Sequence, residues 1–474
     1  MRKKKKNLPQ TALKTQTRAK LSKNRFVIIR EVRGLIFLSF LLVPYFGLFA
    51  QGLNLEEARA LALASSRSLA RYNIAIQTSV LNERNQLYSM LPQVSANVNA
   101  SSSYLRNWDF INPAENMTAG VSFSVTQVLF RGGRSFIERA IQLIETESVR
   151  LDAMSAYFNV LDSVDREYYS VLEAGAVLEA SELSLEAANL SLAIAEIRHQ
   201  SGILNMGDYL EALAEKEAKE NSRNQARRSL TLAKNRFNII TGITEPVELE
   251  PISFENYEEA LVFLSSVSDD DSLLLFEDFW DLIKDTNPSF TRAILSNERA
   301  QRNHLSTIRS YAPTIEAEIF SSSFNFLPNT SSRSSGGITL RGSIPLDFWV
   351  MTNRIERSRL SLESSAIDFT NAEISLQQDL RSALFDMFSQ AENVLSSRRS
   401  LEASERRFEF MMERYRLGLS SVSDLNSAAS GLLNSRNNLN RSSYSFLRSL
   451  SSLRSLCAID NEEELLSILT GNLF

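Results

Sequence analysis

The chain has 474 residues, with 51 Lys+Arg against 56 Asp+Glu and a net charge of −5. Its 16 Gly and 10 Pro are about half the usual share for a globular chain, so long elements and few turns are expected. The single cysteine, Cys457, and the two histidines, His199 and His304, exclude an internal disulfide framework and a multi-Cys metal site, and leave little for His-based catalysis.

The charge is segregated. Residues 1–33 carry twelve Lys/Arg and one acid, Glu31, a net of +11. Residues 34–50 are uncharged, and the remaining 424 residues hold 39 basic and 55 acidic groups, a net of −16. Such a body argues against a uniform nucleic-acid-binding surface. Leu35 to Ala50 is an apolar run of 16 residues, broken near its end by Pro44 and Gly47. A spanning helix needs about 20. A basic block, an apolar run and an abrupt return to polar sequence at Gln51 read as an export signal over 1–50. The alternative is an uncleaved membrane anchor. No lipobox cysteine is present, so amino-terminal lipidation is not expected.

From Leu53 to Met90 the spacing is helical, with Leu55, Ala58, Leu61 and Ala62 recurring at three and four residues. Leu91-Pro92 stops it. The period then changes to two: Val94, Ala96, Val98 and Ala100 alternate with Ser95, Asn97, Asn99 and Ser101. Beyond Asn112-Pro113 a second alternation places Val121, Phe123 and Val125 against Ser122, Ser124 and Thr126. Phe130-Arg131-Gly132-Gly133 ends it. From Arg134 to Gln200 the only Gly or Pro is Gly175. Gly202 and Gly207 mark a turn, and a further helix is expected from Asp208 to Thr241, stopped by Gly242.

The second half repeats this order. A helix ends at Ala312-Pro313, and Thr314 to Phe326 and Gly336 to Asp347 are strand candidates. Thr352 to Leu417 contains no Gly or Pro, Gly418 marks a turn, and a last helix is expected from Asp424 to Leu456. Pro92 matches Pro313 at an offset of 221, Phe130 matches Phe348 at 218, and Gly202 and Asp208 match Gly418 and Asp424 at 216. Four ordered landmarks near one offset indicate an internal duplication. The expected layout is an export signal (1–50), a first repeat (51–243), a join (244–275) containing Pro246, Pro251 and Asp269-Asp270-Asp271, a second repeat (276–457) and a tail (458–474).

A Gly- and Pro-free run of 66 residues makes a helix on the order of 100 Å long, which needs a partner along its length. Leu362, Ala366, Phe369, Glu373, Leu376, Leu380, Ala383, Met387, Gln390 and Val394 supply a seam at steps of four and three. Ile367, Ile374, Phe385 and Phe388 lie off it. Either the helix has two apolar stripes for neighbours on both sides, or one broad face in an ordinary bundle. The four strand candidates have one apolar and one polar face and are long enough to cross a bilayer when tilted. Four strands cannot close a barrel, so membrane strands would have to be completed by other subunits. The alternative is the edge of a soluble sandwich.

The chain resembles the TolC family of outer-membrane efflux factors over essentially all of 53–457. The resemblance rests on the duplicated order, on Leu91-Pro92-Gln93, on the run from Gln127 to Gly133, and on the paired turns from Arg198 to Gly202 and from Arg414 to Gly418, each followed by an acid, Asp208 or Asp424. It implies a mainly α fold with a four-stranded β contribution per protomer. Three protomers would form a coiled-coil helical tunnel in the periplasm and a transmembrane β-barrel in the outer-membrane lipid. It implies a passive exit duct in a tripartite efflux or type I secretion system, with no enzymatic reaction and no cofactor. A periplasmic adaptor protein and an inner-membrane pump would be the partners. The competing reading is an exported periplasmic coiled-coil scaffold without a pore.

By resemblance the turns carry the gate. Asp424 matches the first acid of an entrance ring; the second position falls at Ser427, which departs from the acid of the best-known members. Asp208 and Tyr415 match a pair that hydrogen-bonds the coiled coils shut. The positions of a second closing contact fall at Gly207 and Ser420, whose side chains cannot reproduce an arginine-mediated link. Gly202 and Gly418 are candidates for adaptor contact. Read from the residues alone, Asp424 and Asp208 are also helix N-caps, Tyr415 a seam residue, and the two glycines C-caps. Phe474 resembles the terminal aromatic of outer-membrane proteins.

Overall fold

The structure is a computed structural model that describes residues 52–102, 117–244, 247–267, 269–321 and 336–469. The expected export signal and Phe474 lie outside them. The first half runs α1 (Leu55–Ser65), α2 (Arg67–Tyr88), β1 (Gln93–Ser102), β2 (Met117–Arg131), α3 (Arg134–Gln200) and α4 (Met206–Thr241). A 3-10 turn (Phe254–Tyr257), α5 (Glu258–Ser265) and α6 (Asp269–Thr286) follow. The second half runs α7 (Pro288–Arg309), β3 (Thr314–Ser321), β4 (Gly336–Ser343), α8 (Phe348–Arg416), α9 (Val422–Cys457) and α10 (Glu462–Leu469). Helix, strand, strand, long helix, helix thus occurs twice, and the long members α3 and α8 have 67 and 69 residues. The fold is mainly α with a four-stranded sheet.

Three elements differ from the sequence expectation. The first helix is two: Ser66 takes an extended conformation (ψ 111) between α1 and α2. It sits in the run Ser65-Ser66-Arg67-Ser68, where short hydroxyl side chains compete for backbone partners; Ser65 Oγ in fact donates to the Ile240 carbonyl (3.2 Å). β4 stops at Ser343, four residues short of Asp347, because Pro345 has no N–H for the ladder. The stretch expected as a join holds α5 and the start of α6.

The chain divides into two compact units. One contains the described residues through Ser66, Val160–Asn256 and Arg399–Tyr444; the other contains Arg67–Asn159, Tyr257–Arg398 and the described residues from Ser445.

The second of these units holds the sheet, all antiparallel in the order β1-β2-β3-β4. The register sets Val94 beside Val125, Val125 beside Ile319 and Ile319 beside Ile338, so one face is an apolar row. The other face carries Gln93, Thr126, Glu318 and Thr339 in one row. The apolar face is bare: Val98 is 81% and Ile338 78% exposed. A register shift between Val128 and Phe130 bends β2 near its end. Gln127 Nε2 donates to the Met90 carbonyl (3.1 Å), pinning β2 to the end of α2. At the β2–α3 junction Gly132 has φ +62, and a Cβ there would strike Ala312 and the Arg309 carbonyl. Along α8, Leu376, Leu380, Leu384, Met387, Ala391 and Val394 are buried, while Ile367, Ile374 and Phe385 are exposed.

The first unit is fastened around α1. Leu53 N donates to the Glu248 carbonyl (2.8 Å) and Glu250 N to the Leu53 carbonyl (3.0 Å). The Tyr168 hydroxyl donates to both Leu53 and Glu250 carbonyls. Arg59 makes a buried two-point contact with Asp165, at 2.7 and 2.8 Å. Such a planar pair is satisfied by its own geometry, whereas losing one partner would strand a buried charge.

Candidate functional site

The site lies in the first unit, where α3 turns into α4 and α8 turns into α9. The two turns have the same backbone. Gly202 N donates to the His199 carbonyl and Ile203 N to the Arg198 carbonyl; Gly418 N donates to Tyr415 and Leu419 N to Arg414. Each is a Schellman closure, and each needs a left-handed residue, supplied by Gly202 (φ +71) and Gly418 (φ +77). Both glycines are exposed.

The helices that leave the turns are capped one residue set earlier than the sequence suggested. The N-cap of α4 is Asn205, whose side chain accepts from Asp208 N (2.8 Å). In the second turn Ser421 Oγ accepts from Asp424 N (3.1 Å), and Ser421 N donates back to Asp424 Oδ2 (3.2 Å). That is a capping box, with an acid at the third helical position in place of the usual Glu. Asp208 and Asp424 are therefore not N-caps; they occupy the third position of α4 and α9. Asp424 also accepts from Ser421 Oγ (2.8 Å), and these bonds hold its pKa below the ordinary carboxylate value. Asp424 and Ser427 are both exposed and three residues apart, so they share one face of α9.

Tyr415 is fully buried, in an apolar cluster with Ala195, Ala212, Met412, Val422 and Leu425. The hydrogen bond expected between Asp208 and Tyr415 is not formed. Asp208 Oδ2 accepts from Asn205 Nδ2 (3.0 Å), while the buried Tyr415 hydroxyl lies by that of Ser191. The apolar cluster draws the Tyr415 ring inward, away from polar groups that remain in water at the helix start. Burial pushes its pKa up, Arg198 and the Ser191 hydroxyl oppose this, and the Asp208 charge adds to it. The buried Ser420 hydroxyl has no partner among the described residues, and Gly207 has no side chain.

The residue that sequence reasoning passed over is Arg198. Its Nη2 donates to the Tyr415 carbonyl (2.6 Å) and the Arg416 carbonyl (3.1 Å). Its guanidinium lies 4.9 Å from the centre of the Tyr415 ring. Its counterpart, Arg414, instead donates to the Leu419 carbonyl of its own turn (3.0 Å). Basic residues in the last helical turn were visible in the sequence; which carbonyls they reach was not. Among the described residues no group of three or more His, Cys, Asp and Glu could hold a metal ion.

Residues 55–242 and 281–458 match the outer membrane efflux protein family. The chain belongs to that family. It is an outer-membrane channel component of efflux systems, located in the outer membrane and reaching into the periplasm. Outer membrane protein TolC of Escherichia coli K12 is 21% identical over 448 residues, 89% of this chain and 86% of TolC. The solved structure of CusC superposes with a TM-score of 0.72 at 16% identity, covering 88% of this chain and 95% of CusC. The CmeC outer membrane channel of Campylobacter jejuni superposes with a TM-score of 0.68 at 15% identity, covering 89% and 90%. These structures share the efflux protein's fold. The family is one of transport channels, not of enzymes.

Proposed function

We propose that this efflux protein works as a homotrimer and a passive exit duct, gated at its paired turns. The observation that carries the reading is the four-stranded sheet with one bare apolar face. A soluble scaffold would have to cover that face. In lipid the apolar face is satisfied, but the open edges of β1 and β4 would leave backbone groups unpaired at several kcal/mol each. Twelve strands from three copies remove the edges and suffice for a barrel. Phe130 and Phe136 at one strand–helix junction, and Phe348 and Trp349 at the other, are exposed, as suits aromatic residues at a membrane–water interface. The exposed off-seam residues Ile367, Ile374 and Phe385 give α8 a second stripe for a neighbouring protomer.

In this reading the export signal (1–50) directs the chain outward. The two repeats (51–243 and 276–457) contribute two strands and one helical hairpin each, with the join (244–275) linking them in the chain and the tail (458–474) following. The turns face the periplasmic partners, with Gly202 and Gly418 contacting an adaptor protein that links the duct to an inner-membrane pump. Three Asp424 carboxylates around a narrow axis form a negative entrance ring that favours cations, and Ser427 leaves the second ring uncharged. The test is planar-bilayer recording of the full-length protein. Conduction with cation preference is expected, and Asp424→Asn should shift the reversal potential in a salt gradient toward zero. A detergent-free, soluble protein that never conducts would sink the duct.

A further inference from the structure

We propose that Arg198 is the clamp between the two helical hairpins and that opening the entrance requires its release. The proposal rests on the reading of the paired turns as a gate, and it names the residue that holds the gate shut. Three observations support it. First, Arg198 stands on the α3–α4 hairpin while every group it grips belongs to α8: the Tyr415 and Arg416 carbonyls and the Tyr415 ring. These carbonyls are in the last turn of α8, where the helix leaves acceptors unused and its dipole is negative. A planar guanidinium can bond the carbonyls and stack on the ring at once.

Second, the contact beside it is of a different kind, and another directional bond between the hairpins, Lys219 Nζ to Ser430 Oγ (3.0 Å), lies farther along α4 and α9. Ala195 and Ala212 of the first hairpin pack against Met412, Tyr415, Val422 and Leu425 of the second. Apolar packing is non-directional, so it permits one hairpin to slide on the other. The Arg198 bonds are directional and exist in one register only. Third, room has been left for the clamp. A Cβ on Gly418 would stand 3.3 Å from Arg198 Nη2, so the glycine that closes the second turn also admits the arginine from the first. The Tyr415 hydroxyl and Asp208 do not join in the task, since one lies by Ser191 within the cluster and the other is engaged by Asn205.

The experiment is single-channel recording of full-length trimers carrying Arg198→Ala, Arg198→Lys or Arg414→Ala. Arg198→Ala should raise the open-to-closed ratio at least roughly tenfold, the shift that loss of even one of its two charge-assisted bonds produces. Arg198→Lys should give a smaller rise, because a lysine cannot serve two carbonyls and a ring together. It also decides the matter if the alanine variant does not assemble. Arg414→Ala removes the same charge from the equivalent position but breaks a contact within one hairpin, and should open the channel less. Parental gating in both Arg198 variants, or an equal gain in Arg414→Ala, would overturn the clamp while leaving the duct intact. A parent protein that does not conduct defeats the duct reading itself.

Discussion

In the first turn Gly202 and Ile203 return their N–H groups to His199 and Arg198; in the second Gly418 and Leu419 return theirs to Tyr415 and Arg414. The backbones correspond residue for residue at an offset of 216. The side chains do not. His199 stacks on Tyr209 with ring centres 5.3 Å apart and shares Nδ1 with the Leu204 carbonyl, staying within its own hairpin. Its counterpart Tyr415 is buried between both hairpins. Arg198 crosses over, and Arg414 folds back. Duplication has kept what a turn requires of the main chain, because only one closure satisfies the last carbonyls of a helix in so few residues. The long side chains were free to diverge, and the asymmetry between the hairpins lies in them.

The largest test of this asymmetry compares Tyr415→Ala with His199→Ala. Removing a buried aromatic should cost roughly 3 kcal/mol of local stability, whereas truncating His199 should stay within about 0.5 kcal/mol. Amide hydrogen exchange over Ala195–Ala212 and Met412–Leu425 reads the difference directly. Equal losses would mean that the two positions are equivalent after all.

The glycines come next. At both positions an alanine must adopt a left-handed conformation, which costs roughly 1–2 kcal/mol. Around Gly202 an added Cβ meets open space, so the strain stands alone. At Gly418 it also presses on Arg198. Gly418→Ala should therefore lose more exchange protection than Gly202→Ala, and the excess should vanish on an Arg198→Ala background. An excess that persists would separate the glycine from the arginine.

Much of this was legible in the sequence. Turn glycines, the acids six residues later and the duplicated order follow from local chemistry, which a single chain displays openly. The strands showed themselves because alternation at Val94–Ala100 and Val121–Thr126 has no other use. Two things were not legible. The Asp208–Tyr415 bond was inferred from resemblance, but Asn205, three residues before Asp208, competes for the carboxylate at no cost in chain entropy. The reach of Arg198 depends on contacts 217 and 218 residues away, and nothing in the run from Arg198 to Gly202 distinguishes it from Arg414. Where partners are local, pattern suffices; where they cross between hairpins, packing decides.

The caps give a smaller contrast. Substituting Ser421 or Asn205 by alanine should cost about 1 kcal/mol each at the start of its helix. Asn205→Ala should cost more, because it removes both bonds to Asp208, whereas in Ser421→Ala the backbone N–H of residue 421 still donates to Asp424. Exchange in the first turns of α9 and α4 measures both, and a larger loss at Ser421 would reverse the ranking.

The smallest effect is one of pH. Ser421 donates from both Oγ and N to Asp424, and these bonds lower the carboxyl pKa from its ordinary value. A depressed pKa means that the ionised form supports the native turn. Its contribution is present in full above the unfolded value of about 3.9 and fades as pH falls through the lower, folded one. Protection factors at Val422–Leu425 should therefore drop in acid below that range and hold steady above it. The carboxylate is solvent-exposed, so added salt should shrink the change. Ser421→Ala should shrink it, since the hydroxyl bond, the larger cause of the shift, is lost while the backbone N–H of residue 421 still donates to Asp424. An acid response of the same size in Ser421→Ala would trace it to another group and leave the capping box without an electrostatic part.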